Sequence, residues 1–239
     1  VIRVTSVRQE MLPHGVGYLR ISQFQNRTGP DLIKAIGNLK AQGQLNGLIL
    51  DLRNNPGGVL SAAIEVVDAF IDQGLIVSTK GRDEFLDAKY EATTATVLDR
   101  EPIVILINGG SASAAEIVAG ALQDHERAVL IGTPSFGKGS VQTILTLENN
   151  YALKLTTALY YTPNGRSIQA TGIQPTIQVS GGEALIESDT RVREADLPKH
   201  LENAGAEDIT SERVVDRLTK DNQLLHAYNL LRGAQLLAR

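Results

Sequence analysis

Two short segments hold the side chains with the most chemical potential. The first, Asn108-Gly109-Gly110-Ser111-Ala112-Ser113, follows the apolar run Ile103-Val104-Ile105-Leu106-Ile107 and leads into residues 114–123, which have helical character. A hydroxyl placed where a helix begins sits beside unpaired backbone N–H groups and the positive end of the helix dipole. That setting suits an oxyanion forming next to it. The same residues have a plainer use, since Ser113-Ala114-Ala115-Glu116 matches the capping box S-x-x-E. On these residues alone, capping is the commoner role for such a serine.

The second segment, Gly132-Thr133-Pro134-Ser135-Phe136-Gly137-Lys138-Gly139-Ser140, sets a lone lysine between two glycines in a short loop after another apolar run. An amine accepts a proton only in its neutral form, which burial favours. Lysine bases of this kind activate serine nucleophiles on unrelated folds. Gly132 to Lys138 also fits G-x-x-x-x-G-K of the phosphate-binding loop. There, however, Gly139 stands where Ser or Thr must hold magnesium, and Val141-Gln142-Thr143-Ile144-Leu145 alternates like a strand. Without a following helix the phosphate cradle fails.

Other constellations are weaker. His125 adjoins Asp124, but the polar turn Gln123-Asp124-His125-Glu126-Arg127 is an ordinary place for a histidine closing a helix. His14 lies in a turn, and His200 and His226 lie in the tail. No H-E-x-x-H spacing appears, so no metal site is expected. Asp51 beside Arg53 reads as a structural ion pair, which leaves no two buried acids for aspartic or glycosidic chemistry.

The elements that must position these segments read as an α/β pattern. Ile2 to Val7 and Gly15 to Ile21 alternate as two strands around Pro13-His14-Gly15, and residues 29–43 carry Leu32, Ile33, Ile36 and Leu39 at helical spacing. Leu48 to Leu52 is a doubly covered strand that stops at Asn54-Asn55-Pro56-Gly57-Gly58, and residues 60–71 return to helical spacing. Leu75 to Val77 is a strand, and the charged, threonine-rich residues 81–100 read as a lid or connector. Ala128 to Ile131 is a strand, and 141–147 with 151–161 form a hairpin around Asn149-Asn150. Strand, glycine turn and helix thus recur at 48–71 and 103–123, implying stacked ββα-type units. Residues 1–180 read as one core domain and 181–239 as a C-terminal appendage, an extended arm over 181–209 followed by one or two helices. That appendage either packs on its own core or serves as an oligomerisation or adaptor surface.

Bulk properties agree with a globular chain of 239 residues, 42% hydrophobic and 21% charged. A net charge of −4 gives no general attraction to nucleic acid, and the absence of cysteine excludes thiol catalysis and disulfides. No run is long and apolar enough to span a membrane. The chain opens at Val1 and its only methionine is Met11, so it reads as a fragment or processed product.

At these residues the sequence resembles the carboxy-terminal processing proteases, the tail-specific serine–lysine peptidases of family S41. The resemblance rests on Gly17 to Ser22, Leu50 to Gly58, Gly110 to Asp124, Gly132 to Gln142 and Tyr161 to Gln169, collinear over residues 17–175. It implies that Ser113, not Ser111, is the nucleophile, that Lys138 is the general base and that Gln142 positions the lysine. It further implies an oxyanion hole from the Gly58 and Ala114 amides, with Gly57 permitting close approach, and site-shaping roles for Asp124 and Arg127. The implied fold is a crotonase- or ClpP-like core of ββα units with a helical C-terminal arm, following a PDZ domain that this chain lacks. Implied partners are proteins with unstructured C-termini, copies of the chain itself and an adaptor. The implied location is periplasmic or otherwise extracytoplasmic, and the chemistry requires no cofactor. The alternative is a catalytically silent binding module on a crotonase-like core.

Overall fold

The computed structural model describes residues 5–82, 85, 87–93, 96–147, 149, 151–183 and 218–237. Strands β1 (Val7–Leu12) and β2 (Val16–Ile21) flank a 3-10 turn at Pro13–Gly15 and pair antiparallel, with Leu12 opposite Val16. The first strand therefore lies later than the expected 2–7, of which residues 2–4 fall outside the described residues. An antiparallel ladder grows outwards from its turn, so pairing begins at Leu12. The polar Arg8 and Glu10 simply occupy the open face of an edge strand.

Helix α1 (Thr28–Gln42) returns the chain to β3 (Gly47–Asp51), parallel to β2. A turn leads into α2 (Leu60–Asp68), and β4 (Leu75–Gly81) then pairs with β5 (Ala88–Glu91). The expected connector over 81–100 thus contains a strand and also buries Leu98. Its exposed Lys89 and Glu91 alternate with half-buried Ala88 and Tyr90, a one-sided edge pattern that the surrounding charge concealed. β6 (Ile103–Ile107), α3 (Ala114–Asp124) and β7 (Ala128–Gly132) repeat the strand–turn–helix unit. β8 (Ser140–Thr146) and β9 (Ala152–Tyr161) form the expected hairpin, β10 (Ile177–Gln178) adds to β7, and α4 (Asn222–Leu237) closes the described chain.

Two sheets result. One has six strands in the order β1-β2-β3-β6-β7-β10, parallel except for the first pair, and the other is antiparallel in the order β5-β4-β9-β8. The apolar runs in β3 and β6 are covered on both faces. Leu48, Leu50, Ile103, Ile105 and Ile107 pack with the cluster that includes α1, α2 and α3, while Ile49, Val104, Leu106 and Ile131 pack on Leu224, Ala227, Tyr228 and Leu231 of α4. The last helix therefore packs on its own core. Of the expected arm at 181–209, residues 184–209 lie outside the described residues. Among the described residues no helix is long and apolar enough to cross a membrane.

Candidate active site

Neighbouring strands β3 and β6 both end in tight turns at their carboxyl edge, where α/β sheets gather ligand sites. Side chains and main chain lace the two turns together. Ser111 Oγ donates to the Leu52 carbonyl at 2.8 Å and accepts the Asn108 N–H at 3.0 Å. The Ala112 N–H donates to the Asn55 carbonyl at 2.9 Å, and the Asn54 N–H donates to Asn108 Oδ1 at 2.9 Å. Asn55 Nδ2 reaches the Ile21 carbonyl at 2.8 Å while its Oδ1 accepts the Gly57 N–H at 2.8 Å. Ser111 is fully buried with its hydroxyl engaged both as donor and as acceptor, which makes it part of the scaffold.

This lacing presses the glycine turn onto Ser113. A Cβ at Gly57, whose φ is +97°, would lie 2.7 Å from the Ala112 carbonyl oxygen, 2.9 Å from Ser113 Cβ and 3.0 Å from the Ala114 nitrogen. At Gly58 a Cβ would meet the Phe24 carbonyl oxygen at 2.0 Å. Only glycine fits either position. Among the described residues neither the Gly58 nor the Ala114 N–H donates to any acceptor. Two free amides therefore lie in the two turns that meet at the half-buried Ser113.

Ser113 itself has φ 54° and ψ −113°, a conformation that costs a non-glycine residue free energy and differs from the extended backbone of an ordinary N-cap. Serine nucleophiles of other folds are presented on similarly sharp, strained strand-to-helix turns. The expected capping box is nevertheless formed: the Ser113 side chain faces the Glu116 N–H, and the Glu116 carboxylate accepts the Ser113 N–H at 2.7 Å.

The lysine loop docks on the same turn. The Phe136 N–H donates to the Ser111 carbonyl at 3.0 Å, and the Lys138 N–H donates to Glu116 Oε2 at 2.8 Å. The main chains of Ser113 and Lys138 are thus bridged by one oxygen atom. Their side chains are not joined: among the described residues no hydrogen bond links Ser113 Oγ to Lys138 Nζ, and Gln142 bonds neither. Lys138 is half-buried, and Gln142 is exposed on β8, at a register shift against β9. Such bulges re-aim side chains next to active sites. Because β8 follows Lys138 directly, the loop has no helix N-terminus for a phosphate.

Asp124 and Arg127 lie at the other end of α3, about 16 Å along the helix from Ser113. Asp124 accepts the Asn164 N–H at 2.9 Å and pairs with Arg166. Arg127 donates to the carbonyls of Phe70, Glu101 and Leu98, and burial pulls its guanidinium below its ordinary pKa, against the pull of Glu101 and Asp99. Both brace the far end of the helix and touch no group at Ser113. His125 Nε2 lies 2.7 Å from the Leu75 carbonyl, and His14 and His226 are exposed. His200 lies outside the described residues.

The Asp51 ion pair is a larger network than expected. Fully buried Asp51 accepts from Tyr18 at 2.7 Å, Arg20 at 3.2 Å and Arg53 at 2.7 Å, while Arg53 also reaches Asp221 before α4 at 2.7 Å. Burial lowers the Arg53 pKa, but its bonds to Asp51 and Asp221 outweigh that and hold it above the ordinary value.

Residues 15–179 of the chain match Peptidase family S41. The chain belongs to this family. The carboxy-terminal-processing protease of Bartonella bacilliformis is 49% identical over 243 residues, covering 98% of this chain and 55% of that protein. The carboxyl-terminal-processing protease of a Synechocystis species is 44% identical over 163 residues, covering 67% and 37% respectively. Among solved structures, a photosystem II D1 C-terminal processing protease matches with a TM-score of 0.67 at 33% identity, covering 75% of this chain and 49% of that one. This S41 chain therefore spans about half the length of the first relative or less for the others. Sequence reasoning recognised Glu116 only as a capping residue. The signal it lacked was the three-dimensional return of the lysine loop to the same carboxylate.

Proposed function

We propose that the chain is the catalytic core of a serine endopeptidase that processes proteins at or near their C-termini through Ser113 and Lys138. The observation that supports this reading most is the pair of unpartnered amides, Gly58 and Ala114, beside a strained serine at a helix start. Neutral Lys138 takes the Ser113 hydroxyl proton as Oγ attacks the peptide carbonyl carbon. The two amides and the helix dipole stabilise the oxyanion, and Gly57 lets the Gly58 amide approach. Protonated Lys138 then gives its proton to the departing amine, leaving an acyl-enzyme. Water attacks the ester, Lys138 again moves the proton, and a carboxylate product leaves. Gln142 orients the lysine amine, and Asp124 with Arg127 keeps α3 in place so that its start stays on the two turns. In this reading the unbonded dyad is a resting arrangement that tightens when substrate fills the site.

The family resemblance supports unstructured protein tails as substrates, action in the periplasm or another extracytoplasmic space, self-assembly and an adaptor. Cell fractionation checks the location, light scattering of the purified protein checks self-assembly, and co-purification from cells checks for an adaptor. For the chemistry, a protein with an unfolded tail is incubated with wild type, Ser113→Ala and Lys138→Ala. Cleavage by wild type alone is expected. Equal cleavage by all three refutes the dyad, and no cleavage by any, even in the presence of the adaptor, favours a silent binding module.

A further inference from the structure

Glu116 is fully buried, and among the described residues it forms no ion pair. A carboxylate in that position is costly unless its oxygens are satisfied by donors. Four donors converge on it. Oε1 accepts the Ser135 hydroxyl at 2.6 Å and the Gly137 N–H at 2.6 Å; Oε2 accepts the Ser113 N–H at 2.7 Å and the Lys138 N–H at 2.8 Å. Capping α3 accounts for the Ser113 bond alone. The other three come from the loop that carries Lys138. Ser135 Oγ in turn accepts the Ile173 N–H at 2.7 Å, so the loop is held from behind as well.

We infer that Glu116 is a positioning residue whose carboxylate holds the Lys138 loop against the Ser113 turn and thereby sets the geometry of the dyad. The inference rests on the Ser113–Lys138 reading above. Its chemical logic is one of matching: every group that faces the carboxylate is a donor, and only an acceptor with two oxygens satisfies all four. In Glu116→Gln the shape is kept, but whichever way the amide turns, its NH2 faces backbone N–H groups that cannot accept. The bridge then loses the Gly137 bond on one side, where the Ser135 hydroxyl can turn to accept, or both the Ser113 and Lys138 bonds on the other. Glu116→Asp keeps both oxygens and shortens the reach by one methylene, so it retains part of the bridge.

Purified wild type, Glu116→Gln, Glu116→Asp and Ser135→Ala are compared for kcat and KM on an unfolded-tail substrate, with backbone hydrogen exchange followed by mass spectrometry. Glu116→Gln is expected to lose about 10- to 100-fold in kcat with little change in KM, the size expected when buried donors lose their acceptor. Exchange should rise in residues 135–139 while β3 and β6 stay protected. Glu116→Asp should recover part of kcat. A merely structural role would lower the folded fraction without changing kcat per folded molecule. Wild-type kcat in folded Glu116→Gln, or unchanged exchange at 135–139, overturns the inference. If Glu116→Gln does not fold, Ser135→Ala carries the test, because it removes one donor and leaves the carboxylate. A drop of a few-fold in its kcat with faster loop exchange is expected, and wild-type values overturn the inference. Cleavage retained in Ser113→Ala or Lys138→Ala would instead refute the dyad itself, whatever the Glu116 variants do.

Discussion

Gly57→Ala probes how closely the glycine turn is pressed onto the nucleophile. The added Cβ incurs about 1–2 kcal/mol for a left-handed φ. It also meets three atoms of the serine turn at 2.7 to 3.0 Å, and two of them, the Ala112 carbonyl oxygen and Ser113 Cβ, are closer than a real Cβ tolerates. Overpacking of this kind costs about 1–3 kcal/mol. The total of about 2–5 kcal/mol corresponds to a fall in Tm of roughly 5–15 °C for a chain of this size. Because relief requires Ser113 or the Gly58 amide to move by several tenths of an ångström, kcat/KM should fall about 10-fold or more, given that a 1 Å misplacement costs about 100-fold. Gly165→Ala is the control: Gly165 has φ +76° and nothing within 4 Å of an added Cβ. It carries the conformational cost of about 1–2 kcal/mol without the contacts, so its kcat/KM should stay at the wild-type value. Thermal unfolding and cleavage of an unfolded-tail substrate, assayed well below both melting points, separate the two effects. Equal activity and equal Tm in the two variants would refute the claim that Gly57 sets the position of Ser113.

Three further substitutions test the scaffold around the site. Ser111→Ala leaves the Leu52 carbonyl and the Asn108 N–H without their hydroxyl partner, so chemical denaturation should show a loss of about 1–3 kcal/mol. Cleavage at low temperature should nevertheless persist, and an activity loss as complete as that of Ser113→Ala would overturn the assignment of Ser111 to the scaffold. Arg53→Leu removes the shortest ion pair of the fully buried Asp51, which keeps Tyr18 and Arg20, and should cost about 1.5–3 kcal/mol by urea unfolding. Asp221→Asn breaks the same network at its partly exposed end and should cost about 1 kcal/mol. Equal losses from the two would show that the helix contact, not the buried aspartate, dominates the network.

Much of the sheet was legible because its strands are continuous apolar runs. Leu48 to Leu52 and Ile103 to Ile107 announce strands buried on both faces, and the glycine turns that end them mark where the site lies. Edge elements were harder to read. β1 and β5 carry exposed Arg8, Glu10, Lys89 and Glu91, and their strand identity comes from main-chain pairing with a neighbour more than from their own alternation. α4 could have packed inwards or faced a partner, and only the free face of β3, β6 and β7 explains why Leu224, Tyr228 and Leu231 turn inwards.

At the site, a hydroxyl at a helix start and a lone lysine between glycines drew attention to Ser113 and Lys138, while the resemblance to family S41 chose Ser113 over Ser111 and added the Gly57-Gly58 turn and Gln142. The sequence by itself thus determined which groups are available for chemistry and excluded a phosphate loop through the strand after Lys138. Tertiary structure alone decided what each group is free to do. It engages the Ser111 hydroxyl within the scaffold, leaves the Gly58 and Ala114 amides without acceptors among the described residues, and sets Asp124 and Arg127 at the far end of α3. It also turns Glu116 from one helix's cap into the meeting point of two loops. The physical reason is that a hydrogen-bonding group's role depends on its partners, and at this site the partners are brought by segments about 20 to 60 positions apart in the chain.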